Sequence, residues 1–98
     1  MKRNLGKTIV LMKDSCSDAI NIESFTNRFK NIEIITKSGE SSLLSSAKTC
    51  LIGGNDIEKV IVIFDDRKYT PRGTREKIDF INGYLSNQAQ VIKLTDIK

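Results

Sequence analysis

Five consecutive apolar residues, Val60, Ile61, Val62, Ile63 and Phe64, run directly into two adjacent carboxylates, Asp65 and Asp66. Such a run, dominated by β-branched side chains, offers no polar face to water, so the strand it forms must be covered on both sides. Strands covered on both sides belong to parallel sheets with helices outside. In those sheets loops and helix N-termini converge at the carboxyl ends of the strands, and ligands collect there. The run thus constrains the fold and also nominates a place for chemistry. The same two aspartates can equally close an ordinary turn.

The rest of the chain supplies matching parts. Residues 7–13, KTIVLMK, read as a first buried strand, and residues 31–37, NIEIITK, as a shorter, more polar one nearer a sheet edge. Residues 90–94, QVIKL, read as the last strand. Asp14-Ser15-Cys16-Ser17-Asp18 is rich in residues whose side chains accept orphan backbone N–H groups, so a helix is expected over residues 18–30, with Ala19, Ile22, Phe25 and Phe29 on its buried face. A second helix follows Ser38-Gly39-Glu40-Ser41-Ser42, carries Leu43, Leu44, Ala47 and Leu51 on one stripe, and stops at Gly53-Gly54. A third has Thr70 as cap and Pro71 at its first position, with Ile78, Ile81 and Leu85 inward and Tyr84 beside them. Strands alternating with helices imply right-handed βαβ units. The expected fold is a three-layer α/β domain, βαβαβαβ, with a four-stranded, mainly parallel sheet and helices on both faces. With 98 residues the chain makes one domain, residues 1–98.

Composition narrows function mostly by exclusion. There is no histidine, and Cys16 and Cys50 have no nearby cysteine partner, which removes most zinc sites and any Cys–His or Ser–His–Asp catalysis. Both thiols are expected reduced and packed. The opening MKRNLGKTIVLMKD is cut off by Lys13 and Asp14 before a signal-peptide core can form, and no apolar run approaches the roughly 18 residues that span a bilayer. A cytoplasmic protein without membrane contact is expected. The formal charge is +4, and its placement matters more than its size: Arg67, Lys68, Arg72, Arg75 and Lys77 put five cations into eleven residues beside the aspartates. Phosphate attraction is the functional reading and a solvated helix start the structural one.

Three groupings could carry chemistry. Asp14, Asp65 and Asp66 should lie at one edge of the sheet, after the first and third strands, where clustered carboxylates could hold Mg²⁺, a hard cation that takes oxygen ligands and phosphates. Otherwise Asp14 serves the following helix and the pair closes a turn. Ser38 and Gly39, at a helix start, could hold an anion through backbone amides and hydroxyls, although the lysine and spacing of a P-loop are absent. Among the aromatic residues only Tyr69 stands in the basic segment, where it could stack on a base.

The pattern Asp14-x-x-x-Asp18-Ala19 after a buried strand resembles the first motif of the Toprim domain of topoisomerases, primases and overcoming-lysogenisation-defect nucleases. Asp14 stands at the position of that motif's glutamate and Ser15 at that of its glycine. Asp65-Asp66-Arg67 is similar to the second motif, Asp-x-Asp, with Arg67 in place of the second aspartate. The resemblance spans residues 7–94. It implies Mg²⁺ at Asp14, Asp65 and Asp66, and nucleic acid or another phosphate ligand at Arg67, Lys68, Arg72 and Arg75. The two departures predict weak Mg²⁺ binding and lost catalysis. The chain also resembles the receiver domain of response regulators: Asp65 matches its phosphoacceptor, Gly73 follows eight residues on, and Thr95 matches its hydroxyl residue thirty positions later. That resemblance implies a regulatory module acting through a protein partner. Only Asp14 stands where receivers carry a pair of acids, and the fifth strand with its lysine is missing.

Overall fold

The computed structural model describes residues 6–21, 23, 26–27, 31–53 and 56–97. Four strands, β1 (Lys7–Lys13), β2 (Ile32–Lys37), β3 (Ile57–Phe64) and β4 (Gln90–Lys93), form one sheet in the order β2-β1-β3-β4. Every neighbouring pair is parallel; Val10 lies opposite Ile34 on one side and Ile61 on the other, and Val62 lies opposite Val91. The two most apolar strands take the centre. The polar strand β2 lies at an edge, as its composition predicts.

Alternation along the central strands divides the core between two faces. Ile9, Leu11, Val60, Val62 and Phe64 face α2 (Glu40–Gly53) and α3 (Pro71–Tyr84), meeting Leu43, Leu44, Ala47, Ile81 and Leu85. Val10, Met12, Ile61 and Ile63 face the other way, with Cys16, Leu94 and the half-buried Ile20 against them. The handedness of crossovers explains this division. The connection from β1 to β2 runs one way along the sheet, while those from β2 to β3 and from β3 to β4 run the other. Right-handed connections in opposite directions must cover opposite faces, which puts α2 and α3 together and the β1–β2 connection behind.

Several element ends differ from expectation, each for a local reason. A one-turn helix not expected from the sequence, α1 (Asp14–Ser17), follows β1 directly, and within the expected helix over residues 18–30 the described residues Glu23, Thr26 and Asn27 are helical while Asp18 to Ile20 are not. Segment α1 ends after one turn: the Ser17 hydroxyl donates to the Asp14 carbonyl at 2.7 Å, a local bond that competes with helix propagation. Asp18 and Ala19 form a turn that leaves Ala19 exposed, not on a buried face. The expected positions Ile22, Phe25, Phe29 and Lys30, and the stop at Gly54, lie outside the described residues. Strand β3 begins earlier than the apolar run, at Ile57, because Ile57 and Lys59 pair with Lys7 and Thr8 of β1, with the exposed Glu58 bulged between them. Gly6 passes so close to this segment that a Cβ there would land on Glu58 Cβ. Strand β4 stops at Lys93, and Leu94–Asp96 form a 3-10 turn. Helix α3 starts as expected: the Thr70 hydroxyl accepts from the Gly73 N–H at 3.0 Å and Pro71 takes the first position. No helix among the described residues is long and apolar enough to cross a membrane.

Candidate functional site

Strand order reverses between β1 and β3. The chain leaves β1 toward β2 and leaves β3 toward β4, so the two exits diverge and open a crevice at the carboxyl edge. A cavity of about 390 Å³ occupies it. Leu43, Leu44, Val62, Phe64 and Ile81 give it an apolar floor. Its rim is polar, with Lys13 and Ser15 from the end of β1, Asp65 and Lys68 from the end of β3, and Glu40 from the start of α2. That volume lies toward the lower end of the range of about 300–1,000 Å³ for small-ligand sites.

The acids on this rim are engaged. Arg67 grips Asp65 with both ends of its guanidinium, Nε donating to Oδ1 and Nη2 to Oδ2, each at 2.8 Å, and its backbone N–H donates to Oδ1 at 3.1 Å. The Arg67 hydrogen bonds hold the Asp65 carboxyl down from 3.8 to about 2, against the opposing effect of burial. Glu40 accepts from Lys77 Nζ at 2.7 Å, and this bond raises the Lys77 ammonium above its ordinary value. By contrast, Lys13, Lys68 and Arg75 make no ion pair among the described residues.

Asp66 points elsewhere. Its Oδ2 accepts from the Thr95 hydroxyl at 2.7 Å and its Oδ1 from the Thr95 N–H at 3.2 Å, fastening the end of β3 to the chain leaving β4. This bond explains why β4 ends early. Capturing Thr95 turns the backbone out of the strand. Asp66 lines a second cavity of about 420 Å³ between β4 and α3, together with Pro71, Thr74, Arg75, Ile78 and Lys93. Tyr69 lines both cavities. Its N–H donates to the Asp66 carbonyl at 3.2 Å, closing a tight turn, and its ring rests against Phe64 with centroids 5.2 Å apart.

The carboxyl edge thus gathers Asp65, Asp66, Arg67, Lys68, Arg75, Lys13 and Tyr69. Asp14 follows β1 on the strand beside that of Asp65 but is exposed and does not line the cavity. Arg72 points outward and pairs with Glu76 one turn along at 3.5 Å, so it belongs to neither cavity. Ser38 and Gly39 precede α2, whose Glu40 reaches the first cavity while they do not. Among the described residues no group of three or more His, Cys, Asp or Glu side chains could hold a metal ion. The donor set as arranged does not fit a resident Mg²⁺: Asp65 would have to exchange a bidentate guanidinium for the cation, and Asp66 would have to release Thr95. Burial, reinforced by the charge of Asp65, pushes the Cys16 thiol up, and burial does the same for Cys50, so both stay protonated at neutral pH.

Sequence reasoning missed Lys13, Ser15 and Lys93, and it gave Tyr69 only a basic neighbourhood. Alternation within β1 puts Lys13 at the strand's end, and that position was the available signal. It also passed over Phe80, which is 56% exposed and stacks on Tyr84 at 6.4 Å, with Lys48 Nζ 4.5 Å from the Tyr84 ring centroid. Comparison of the chain with protein-family models, curated proteins and solved structures finds no match.

Proposed function

We propose that this chain binds a phosphate-bearing ligand, nucleic acid foremost, at the carboxyl edge of β1 and β3, with weak Mg²⁺ affinity and no phosphodiester cleavage. One observation carries the reading. On the rim of the crevice Asp65 and Glu40 are each held by a cation from outside it, whereas Lys13 and Lys68 make no ion pair among the described residues, and Arg75 stands likewise unpaired in the neighbouring cavity beside the Thr95-bonded Asp66, so the edge offers cations around a concave floor. Arg67 supports the absence of cleavage, because it holds the carboxylate that a Toprim-like site would need for its cation. The Toprim-like resemblance of the sequence points to the same class of ligand.

The test is an amide NMR titration at low salt with inorganic phosphate and with an oligonucleotide, repeated at rising salt. Binding should fall steeply with salt, since neutralised phosphates release counterions. Lys68→Gln with Arg75→Gln should flatten that slope, while Arg72→Gln should change it little. No binding at low salt would sink the reading.

A receiver-like regulatory module is the second reading. The strand order β2-β1-β3-β4 reproduces the first four strands of the order 2-1-3-4-5 shared by flavodoxin-like proteins, receivers among them. Thr95, in the 3-10 turn after β4, bonds Asp66 and not Asp65, so the hydroxyl and the phosphoacceptor of this reading are not in contact. Phosphorylation of Asp65 by acetyl phosphate, seen as a mass increase absent from Asp65→Asn, would favour this reading over the first.

A further inference from the structure

Two cavities of similar volume, about 390 and about 420 Å³, lie side by side on the carboxyl edge with Tyr69 as their common wall. Each combines an apolar surface with cations beside an engaged carboxylate: Leu43, Val62 and Phe64 with Lys13 and Lys68 near the Arg67-bound Asp65 on one side, and Pro71 and Ile78 with Arg75 near the Thr95-bound Asp66 on the other, where Lys93 lies 3.9 Å from Asp96. The wall is held firmly. Tyr69 sits at the end of a turn closed onto Asp66, immediately before the capping residue of α3, and its ring leans on Phe64 while staying 42% exposed.

We propose that these two cavities form one composite site for single-stranded nucleic acid at least two nucleotides long, with Tyr69 inserted between successive bases. The inference rests on the phosphate-ligand reading and names the ligand's form. A repeating polymer fits a repeated site: each cavity takes one base against its apolar surface, and the lysines and Arg75 meet the phosphates that link them. Stacking on an aromatic ring accepts any base, so sequence preference should be small. A duplex fits poorly, because its bases are paired inward and unavailable to a concave pocket without being extruded. The apolar floor then goes uncontacted.

Five probes test this at low salt: inorganic phosphate, thymidine monophosphate, the dinucleotide pTpT, a twelve-residue oligothymidylate and a twelve-base-pair duplex. The pTpT dinucleotide should shift amides on both sides of Tyr69, including Ser15 and Lys68 on one side and Thr74 and Lys93 on the other. It should bind about tenfold or more tightly than the monophosphate, as a second stacked base predicts. Tyr69→Ala should weaken oligothymidylate binding by about tenfold, Tyr69→Phe should preserve it, and neither should alter phosphate binding. Matching amide spectra of the two variants away from residue 69 separate ligand loss from unfolding. Duplex binding as tight as single-strand binding, shifts confined to one cavity, or an unaffected Tyr69→Ala variant would overturn the composite site and leave the phosphate reading standing. Failure of all five probes to bind would overturn both.

Discussion

Replacing Arg67 with glutamine removes both guanidinium bonds from Asp65 and leaves only the backbone N–H of residue 67. A carboxyl depressed from 3.8 to about 2 corresponds to about 2.4 kcal/mol, at about 1.36 kcal/mol for each tenfold change in proton affinity. The Arg67 side chain is 46% exposed, so water screens the pair, and on the order of 1 kcal/mol should survive as stability. Because the folded-state value lies below the unfolded one, this stabilisation is complete above about pH 4 and fades as pH falls through about 2. Carbon-detected NMR titration should place Asp65 near 2 in the wild type and clearly higher in Arg67→Gln. Urea unfolding should show the variant about 1 kcal/mol less stable at pH 6, with the two proteins converging near pH 2. Mg²⁺ titration of the same variant should show tighter binding than the wild type, since Asp65 is freed. A wild-type Asp65 that titrates near 3.8, or a stability difference independent of pH, would refute the reasoning.

Four further outcomes follow from the contacts described. Glu40→Gln should cost a few tenths to about 1 kcal/mol at pH 7. That loss should disappear in strong alkali: the raised Lys77 value means the pair stabilises the fold below the ordinary 10.5 and fades as pH rises past Lys77's folded titration, which a urea series across pH will show. Thr95→Val removes the hydroxyl donor to Asp66 and should cost on the order of 1 kcal/mol, with faster amide hydrogen exchange confined mainly to β4. Thr70→Ala deletes the cap of α3 and should cost about 1 kcal/mol by thermal unfolding. Gly6→Ala should cost about 1–3 kcal/mol, since its Cβ must displace Glu58 at the start of β3, and an unchanged melting temperature would count against this approach.

The sequence exposes the sheet because its signal is local. Val60 to Phe64 have no alternative to double-sided burial, and Ile34 and Ile35, diluted by Glu33 and Thr36, mark an edge. Pro71 after Thr70 announces α3 for the same reason: the cap is a relation between neighbours. The site is less legible because its contacts are not. That Arg67 returns to Asp65 can be suspected from their spacing, but that Asp66 reaches Thr95 across 29 positions depends on β3 and β4 being adjacent. Tyr69 acquires its place only when the turn from Asp66 swings its ring onto Phe64. The extra turn of helix at Asp14–Ser17 is not legible because it follows Lys13, which offers no capping bond, and the helical residues 23, 26 and 27 come only after a turn at Asp18 and Ala19.

The strand order also sets a timetable for assembly. Thr8 lies opposite Ile32, 24 positions away, and Val62 opposite Val91, 29 positions away, so the outer pairings close comparatively short stretches of chain. The central pairing joins Thr8 to Lys59, 51 positions away, and closes the longest stretch of chain of the three. Loop-closure entropy is spent before such distant contacts return anything, so the β1–β3 seam sets the folding rate, which should fall in the range of mixed α/β domains. Since the crevice lies on this seam, we expect it to form together with the rate-setting step of folding. We expect truncations along the seam, such as Val10→Ala, to slow refolding in stopped-flow kinetics, while Ile92→Val chiefly speeds unfolding. The reverse pattern would place the nucleus elsewhere.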